Sequence, residues 1–437
     1  MPPVWITHIK PSKDTKNPFQ NNEKTDIIKL LNLGLCFISL RLKSEQPMKK
    51  ILVLLALTLN ISAFAQSKIL LSRTDSTQVM LKNFRKISSN VNLEFASSLN
   101  AYFTDNTFDE CSFKMNRVRL EIFGRLHDRL SYHFRQSFNK YSNPYSVDNM
   151  SSSIEYANIK WHMNDRFEMV AGKQYLIIAG YEGYVNGLKV REFSDFNNHV
   201  EIYQTGLKGV ISFTPTQKLM LQVTNNRNSR DSEVYLYGLP EGVESSKVPL
   251  IGTVNWNGWF ADGAIHLMYS ASAGQLAKGK NIYYLMCGNI YEKGPVLAYL
   301  DLLYSRSAID SQQRITSLQG KLPGISPVTA QNTEYFTVIA NLDYRIAPKW
   351  NAYIKGAYET AGVYKKNSIF ESGRYTTSWN AQCCLEWFPF NEDKGFKLFA
   401  HYVYKGYVLT ENAFAIGAQK MDTQRVSLGI QYIIPVL

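Results

Sequence analysis

The side chains with most chemistry to offer in this chain are cations set at alternating positions. Arg117, Arg119 and Arg125 share one segment, and Arg135, Lys160 and Lys208 hold the polar side of segments that follow. In an extended strand alternate side chains point the same way. Arg117, Arg119, Glu121 and Arg125 therefore share one face, and Val118, Leu120, Ile122 and Leu126 share the other. Guanidinium and ammonium groups in such rows do not break bonds. They attract anions and repel cations.

Other chemistries find less support. A basic excess (48 Lys and Arg against 36 Asp and Glu) suits nucleic acid, anionic lipid or a soluble anion. No nucleic-acid motif or basic cluster is present, so the first is disfavoured. A lipid hydrolase on a membrane barrel needs an outward Ser–His pair with an orienting group. His133, His162, His266 and His401 all fall on the polar faces, and there is no nucleophile elbow. Cys111, Cys287, Cys383 and Cys384 have no zinc-like spacing, and neighbours Cys383 and Cys384 point to opposite faces of a strand, so no metal, cofactor or disulfide framework is expected.

The segments that must position these cations follow a rhythm. From about Val91 to Leu437, sixteen short stretches alternate apolar and polar residues. Tight breaks at His127-Asp128, Asn164-Asp165, Thr214–Thr216, Ala261–Gly263, Glu292–Gly294, Ala347-Pro348 and Asn391–Gly395 alternate with long polar ones near 105–112, 140–152, 174–201, 227–248, 273–280, 306–333, 360–373 and 409–422. No run of eighteen apolar residues exists for a membrane helix. Tyr, Phe and Trp make up 13% of the chain, enough for two interfacial belts. A soluble sandwich would show the same alternation strand by strand. Sixteen strands in one meander exceed its usual size, however, and it does not require the short–long alternation. The expected fold is all-β: a transmembrane antiparallel β-barrel of sixteen strands, with short periplasmic turns and long extracellular loops, in the outer membrane of a Gram-negative bacterium.

In a barrel the apolar faces meet lipid and the polar faces line the lumen. Sixteen strands leave an aqueous bore. Thirteen basic positions fall inward against six acidic ones (Glu94, Glu121, Asp301, Asp343, Glu359 and Glu386), which predicts anion preference. The basic set adds Lys218, Arg345, Lys355, Arg374, Lys397, Lys405 and Arg425 to the six cations above. The third long break, 174–201, carries Tyr181, Tyr184, Lys189 and Arg191 among Glu182, Glu192, Asp195 and Glu201. It either folds inward and narrows the bore or lies over the mouth as a lid.

Upstream, Met48-Lys49-Lys50, the apolar run Ile51–Leu59 and Ala63-Phe64-Ala65 have the form of a secretory signal peptide at 48–65, cleaved after Ala65. Residues 1–47 then read as a mis-assigned translation start, 66–90 as a periplasmic segment and 91–437 as the barrel. Removing 1–65 leaves 39 basic and 32 acidic residues, a net charge of +7.

The run from Lys114 through Arg117, Arg119 and Gly124 to Leu126, then Asp128–Phe134, resembles the phosphate-selective porin O and P family. So do Tyr156–Trp161, Arg166–Gln174 with its Gly172-Lys173-Gln174 ending, and Thr205–Gly209. The resemblance implies a sixteen-stranded porin, usually trimeric, that passes small anionic solutes along basic side chains. By position Arg117, Arg119 and Lys173 match basic positions of the pattern. The chain departs from it where Val118 separates two arginines that are often adjacent, and where the loop 174–201 is poor in lysine. The alternatives are a barrel whose loops bind a partner, as an adhesin or structural protein, and a barrel enzyme.

Overall fold

The computed structural model describes residues 88–140, 147–178, 180–185, 187, 189–321, 323–324, 326–390 and 395–436. The expected signal peptide and its upstream segment lie outside them, as does most of 66–90. The first eight strands are β1 (Ser88–Thr104), β2 (Thr107–His127), β3 (Leu130–Ser137), β4 (Ile154–His162), β5 (Phe167–Tyr175), β6 (Tyr203–Thr214), β7 (Gln217–Asn225) and β8 (Leu250–Phe260). The remaining eight are β9 (Ile265–Ala277), β10 (Lys280–Lys293), β11 (Val296–Ile309), β12 (Gln331–Ala347), β13 (Trp350–Val363), β14 (Gly373–Trp387), β15 (Phe396–Leu409) and β16 (Thr423–Pro435).

Every strand pairs antiparallel with its sequence neighbours, and β1 closes on β16 from Asn92 opposite Pro435 to Thr104 opposite Thr423. Closure removes both edges, as a lipid environment without hydrogen-bonding partners demands. The expected face assignment holds along the wall. On β13, Ile354 is 60% exposed in the isolated chain and Lys355 is 5% exposed. Trp350 and Tyr358 join Ile354 outside, while Asn351 and Glu359 join Lys355 inside. The outward set is what lipid covers.

Seven connections on one rim are short. On the other rim the eight connections are L1 (105–106), L2 (138–153), L3 (176–202), L4 (226–249), L5 (278–279), L6 (310–330), L7 (364–372) and L8 (410–422). Two of these eight differ from expectation. L1 and L5 are two-residue turns, with Asp105 and Asn106 at φ +48° and +66° and Gly279 at +69°. Paired positive φ values match the right-handed twist of the flanking strands. The polar stretch after Asn106 is therefore strand, not loop. β2 runs for 21 residues, about twice the 9–11 that a tilted strand needs to cross a bilayer, so the β1–β2 hairpin stands out into water.

The inner wall is not polar throughout. On β8 to β12 it turns apolar, where Ile251, Met268, Ile282, Met286, Leu303 and Ile339 are almost fully buried. Leu176, Ile177, Ile178 and Phe196 of L3 and Tyr235 of L4 pack against this patch. An apolar surface facing a water-filled bore is unfavourable by about 25 cal/mol per Å², and the loops cover it. One side of the barrel is thus filled by its own polypeptide.

Candidate functional site

L3 crosses the lumen, so of its two expected positions the inward one is observed. Its entry is set by β7, where the Gln222 side-chain amide donates to the Tyr175 carbonyl at 2.9 Å and its oxygen accepts from Ile177 N–H at 3.1 Å. The chain then turns against β11. Glu182 N–H donates to Asp301 at 2.9 Å, and Gly180 lies so close to that carboxylate that a Cβ would fall on it.

Glu182 is the knot of the loop. Its carboxylate accepts from Lys355 of β13 at 2.5 Å, from the Ser194 hydroxyl at 2.6 Å and from the Asn197 amide at 2.6 Å. Further along, Ser194 caps a short helix (Asp195–His199) by accepting from Asn197 N–H. The free N–H groups of Asp195 and Phe196 donate to Glu359 at 2.7 and 3.0 Å. The Asp195 carboxylate meets Lys405, Ser378 and Arg314, the last reaching in from L6. Burial works against ionisation there, but Arg314 and Lys405 outweigh it and hold Asp195 below the usual carboxylate range. Arg191 pairs with Glu386 at 2.6 Å and stacks 3.4 Å from the Phe399 ring centre, and Glu192 pairs with Arg425 at 2.8 Å.

These contacts change the meaning of the basic wall. Lys355, Lys405 and Arg425 face acids supplied by L3, and Lys397 shares Glu386 with Arg191 at 2.7 Å. Much of the inward cationic excess fastens the loop instead of facing solute.

The expected anion-attracting residues separate into distinct groups. Arg119 is buried between Glu94 (2.5 Å) and Glu155 (3.3 Å). Arg135 is paired with Glu155 at 2.8 Å, stacked on Tyr156 and bonded to the Tyr203 hydroxyl. Lys160 sits 3.6 Å from Glu168. Lys208 faces inward without an ion pair among the described residues, and Arg125 is exposed near the short-turn rim. Lys173 is corrected: it lines no solvent, being fully buried against Asp148 at 3.3 Å and the Ser151 carbonyl under L2. Gly172 before it sits at φ +114°, a break in regular strand geometry that the alternation does not anticipate.

Arg117 stands apart. Among the described residues it has no ion pair at contact distance, and its guanidinium lies 2.7 Å from where a Cβ would be on Gly187 of L3. There L3 and the wall leave a cavity of ≈ 260 Å³. Arg117, Arg191 and Arg425 line it, together with Val190 and Phe193 of L3 and Phe399 and His401 of β15. A row of neutral polar groups faces them: Asn116 donates to Ser98 at 2.6 Å, and Ser98 to Asn100 at 2.9 Å. Of the expected loop residues, Arg191 reaches this gap. Tyr181 and Tyr184 instead pack on Tyr299 and Tyr175, with ring centres 5.0 and 5.8 Å apart, and Lys189 is exposed.

The alternation missed several of these groups. Glu155 points inward beside Tyr156 because a bulge interrupts the β3–β4 register between Arg135 and Gln136. Arg314 lies in a loop with no periodicity to read. Ser131, His162 and Glu168 form a hydrogen-bonded row (3.1 and 2.9 Å) in the lumen. Ser131 lies on a strand laddered on both sides, so its neighbouring N–H groups serve the sheet and do not form an oxyanion hole. The row positions His162.

The sequence model of the family described as phosphate-selective porin O and P matches residues 89–434. No curated protein matches the chain significantly. Among solved structures, the outer-membrane channel DcaP of Acinetobacter baumannii aligns with TM-score 0.55 at 13% identity, over 80% of this chain and 98% of that one. OmpF of Salmonella typhi, solved with daunomycin, aligns with TM-score 0.51 at 12% identity, over 80% and 97%. At these identities the likeness concerns the fold.

Proposed function

This chain belongs to the phosphate-selective porin O and P family, and from that premise, with a closed barrel and a loop across its bore, we propose that it is an anion-preferring channel for small solutes. It is an outer-membrane porin of a Gram-negative bacterium. The finer reading, anion preference, rests on Arg117. Its guanidinium, without an ion pair among the described residues, lines the gap between L3 and the wall, the narrow place where one fixed charge acts most strongly on a passing ion. Lys208, inward and without an ion pair among the described residues, supports the same sign. Small anions such as phosphate are the solutes, and diffusion is passive. The subunits form a homotrimer embedded in outer-membrane lipid, a reading supported by family membership.

Reversal potential in a KCl gradient across a planar bilayer tests the proposal, with phosphate competition as the second measurement. Chloride preference supports it. A potassium-preferring channel overturns it, and a protein with no conductance leaves the adhesin or structural reading in its place.

A further inference from the structure

Resting on that reading, we propose that the gap beside L3 selects organic monocarboxylates with a compact apolar body over inorganic phosphate. Three arginines line the gap, but Arg191 is matched by Glu386 and Arg425 by Glu192. Among the described residues Arg117 is the lining arginine with no ion pair, so its guanidinium fork is the one open to an anion. A guanidinium fork binds one carboxylate through two parallel hydrogen bonds. A phosphate dianion in the same place keeps a second charge that is partly stripped of water and unmatched.

The remaining lining points the same way. Val190, Phe193 and Phe399 give the gap an apolar flank next to the charge. The Arg191 guanidinium sits over the Phe399 ring at the edge of this flank. A cavity of roughly 150 Å³ accepts benzene. The ≈ 260 Å³ here leaves room for a ring and its carboxylate together. Gly187 keeps the Arg117 guanidinium unobstructed, since any Cβ there would touch it.

The test uses sodium benzoate, acetate and phosphate as probes of chloride current through single channels of the full protein at pH 7. Benzoate is expected to interrupt the current at concentrations at least tenfold below those of acetate or phosphate. Arg117→Gln should abolish that block and Arg117→Lys should keep part of it, whereas Arg125→Gln, outside the gap, should leave it unchanged. Arg117 has no ion pair among the described residues, so its variants are expected to fold. A heat-resistant band on an unheated gel checks that they do. Phosphate blocking at or below the benzoate concentration overturns the inference, and so does a benzoate block that survives Arg117→Gln. A chloride-preferring channel with no benzoate block sinks this inference alone, whereas a potassium-preferring channel sinks the reading beneath it.

Discussion

Arg117 and Arg119 are two residues apart on one face of β2, yet reversing their charge should have opposite consequences. Arg117 has no ion pair among the described residues and lines the gap, while Arg119 is 1% exposed and held between Glu94 and Glu155. A unit charge about 4 Å from an ion is worth on the order of 1 kcal/mol in water-like surroundings. Arg117→Glu changes the local charge by two units, and screening over about 10 Å at 0.1 M salt trims the effect. A net change of roughly 1.4 kcal/mol, or about tenfold in the chloride-to-potassium permeability ratio, is expected. Reversal potential in a tenfold KCl gradient reads it directly. Arg119→Glu puts three carboxylates together in a dry site, where removing even one partner of a buried pair costs about 3–5 kcal/mol. That variant should lose the heat-resistant folded band before any channel can be recorded. An Arg119→Glu protein that folds normally and merely shifts selectivity would refute the assignment of the two roles. An Arg117→Glu channel with unaltered reversal potential would do the same.

Three further outcomes are expected. Lys355→Met leaves Glu182 buried without its cation, so L3 should loosen and give larger, noisier single-channel currents at a stability cost of about 3–5 kcal/mol; a quiet channel of unchanged conductance would count against the knot. Asp195 has its folded-state pKa depressed, so its contribution to holding L3 is complete above the unfolded value of roughly 4 and is lost only as pH falls through the lower folded value. Conductance should accordingly rise as pH falls below about 4, and a conductance unchanged in that acid range would contradict this. Cys111 is exposed on the protruding hairpin, whereas Cys384 is buried and the half-exposed Cys287 and exposed Cys383 lie on the lipid-facing side of β10 and β14. A membrane-impermeant maleimide on intact cells should therefore label the wild type but not Cys111→Ser.

The barrel was legible because lipid and water impose the period-two pattern on every strand. β13 shows it without interruption, and so its inward Lys355 and Glu359 could be placed from sequence alone. Where the ladder is irregular the reading failed. A bulge hid Glu155, and Gly172 preceded a lysine that turned out to be buried. L1 looked long because the residues after Asn106 are polar on both faces, which is also how a strand looks once it leaves the membrane. The largest gap concerns pairing. Glu359 answers N–H groups at Asp195 and Phe196, and Lys405 answers the Asp195 carboxylate. Local periodicity reports which side chains face inward but not which distant acid will meet them there. Counting wall charges therefore predicted a more cationic bore than L3 leaves.

β16 has a consequence for assembly. It supplies Arg425, Ser427 and Gln431 to the gap, fastens Glu192 of L3 and completes the hydrogen-bonded ring with β1. A fifteen-strand intermediate would have an open flank, an unfastened loop and no finished gap. The step that zips the wall shut thus also fastens L3 across the bore and completes the gap. Closure of the wall and narrowing of the bore are therefore one event in assembly, since both depend on β16 reaching β1.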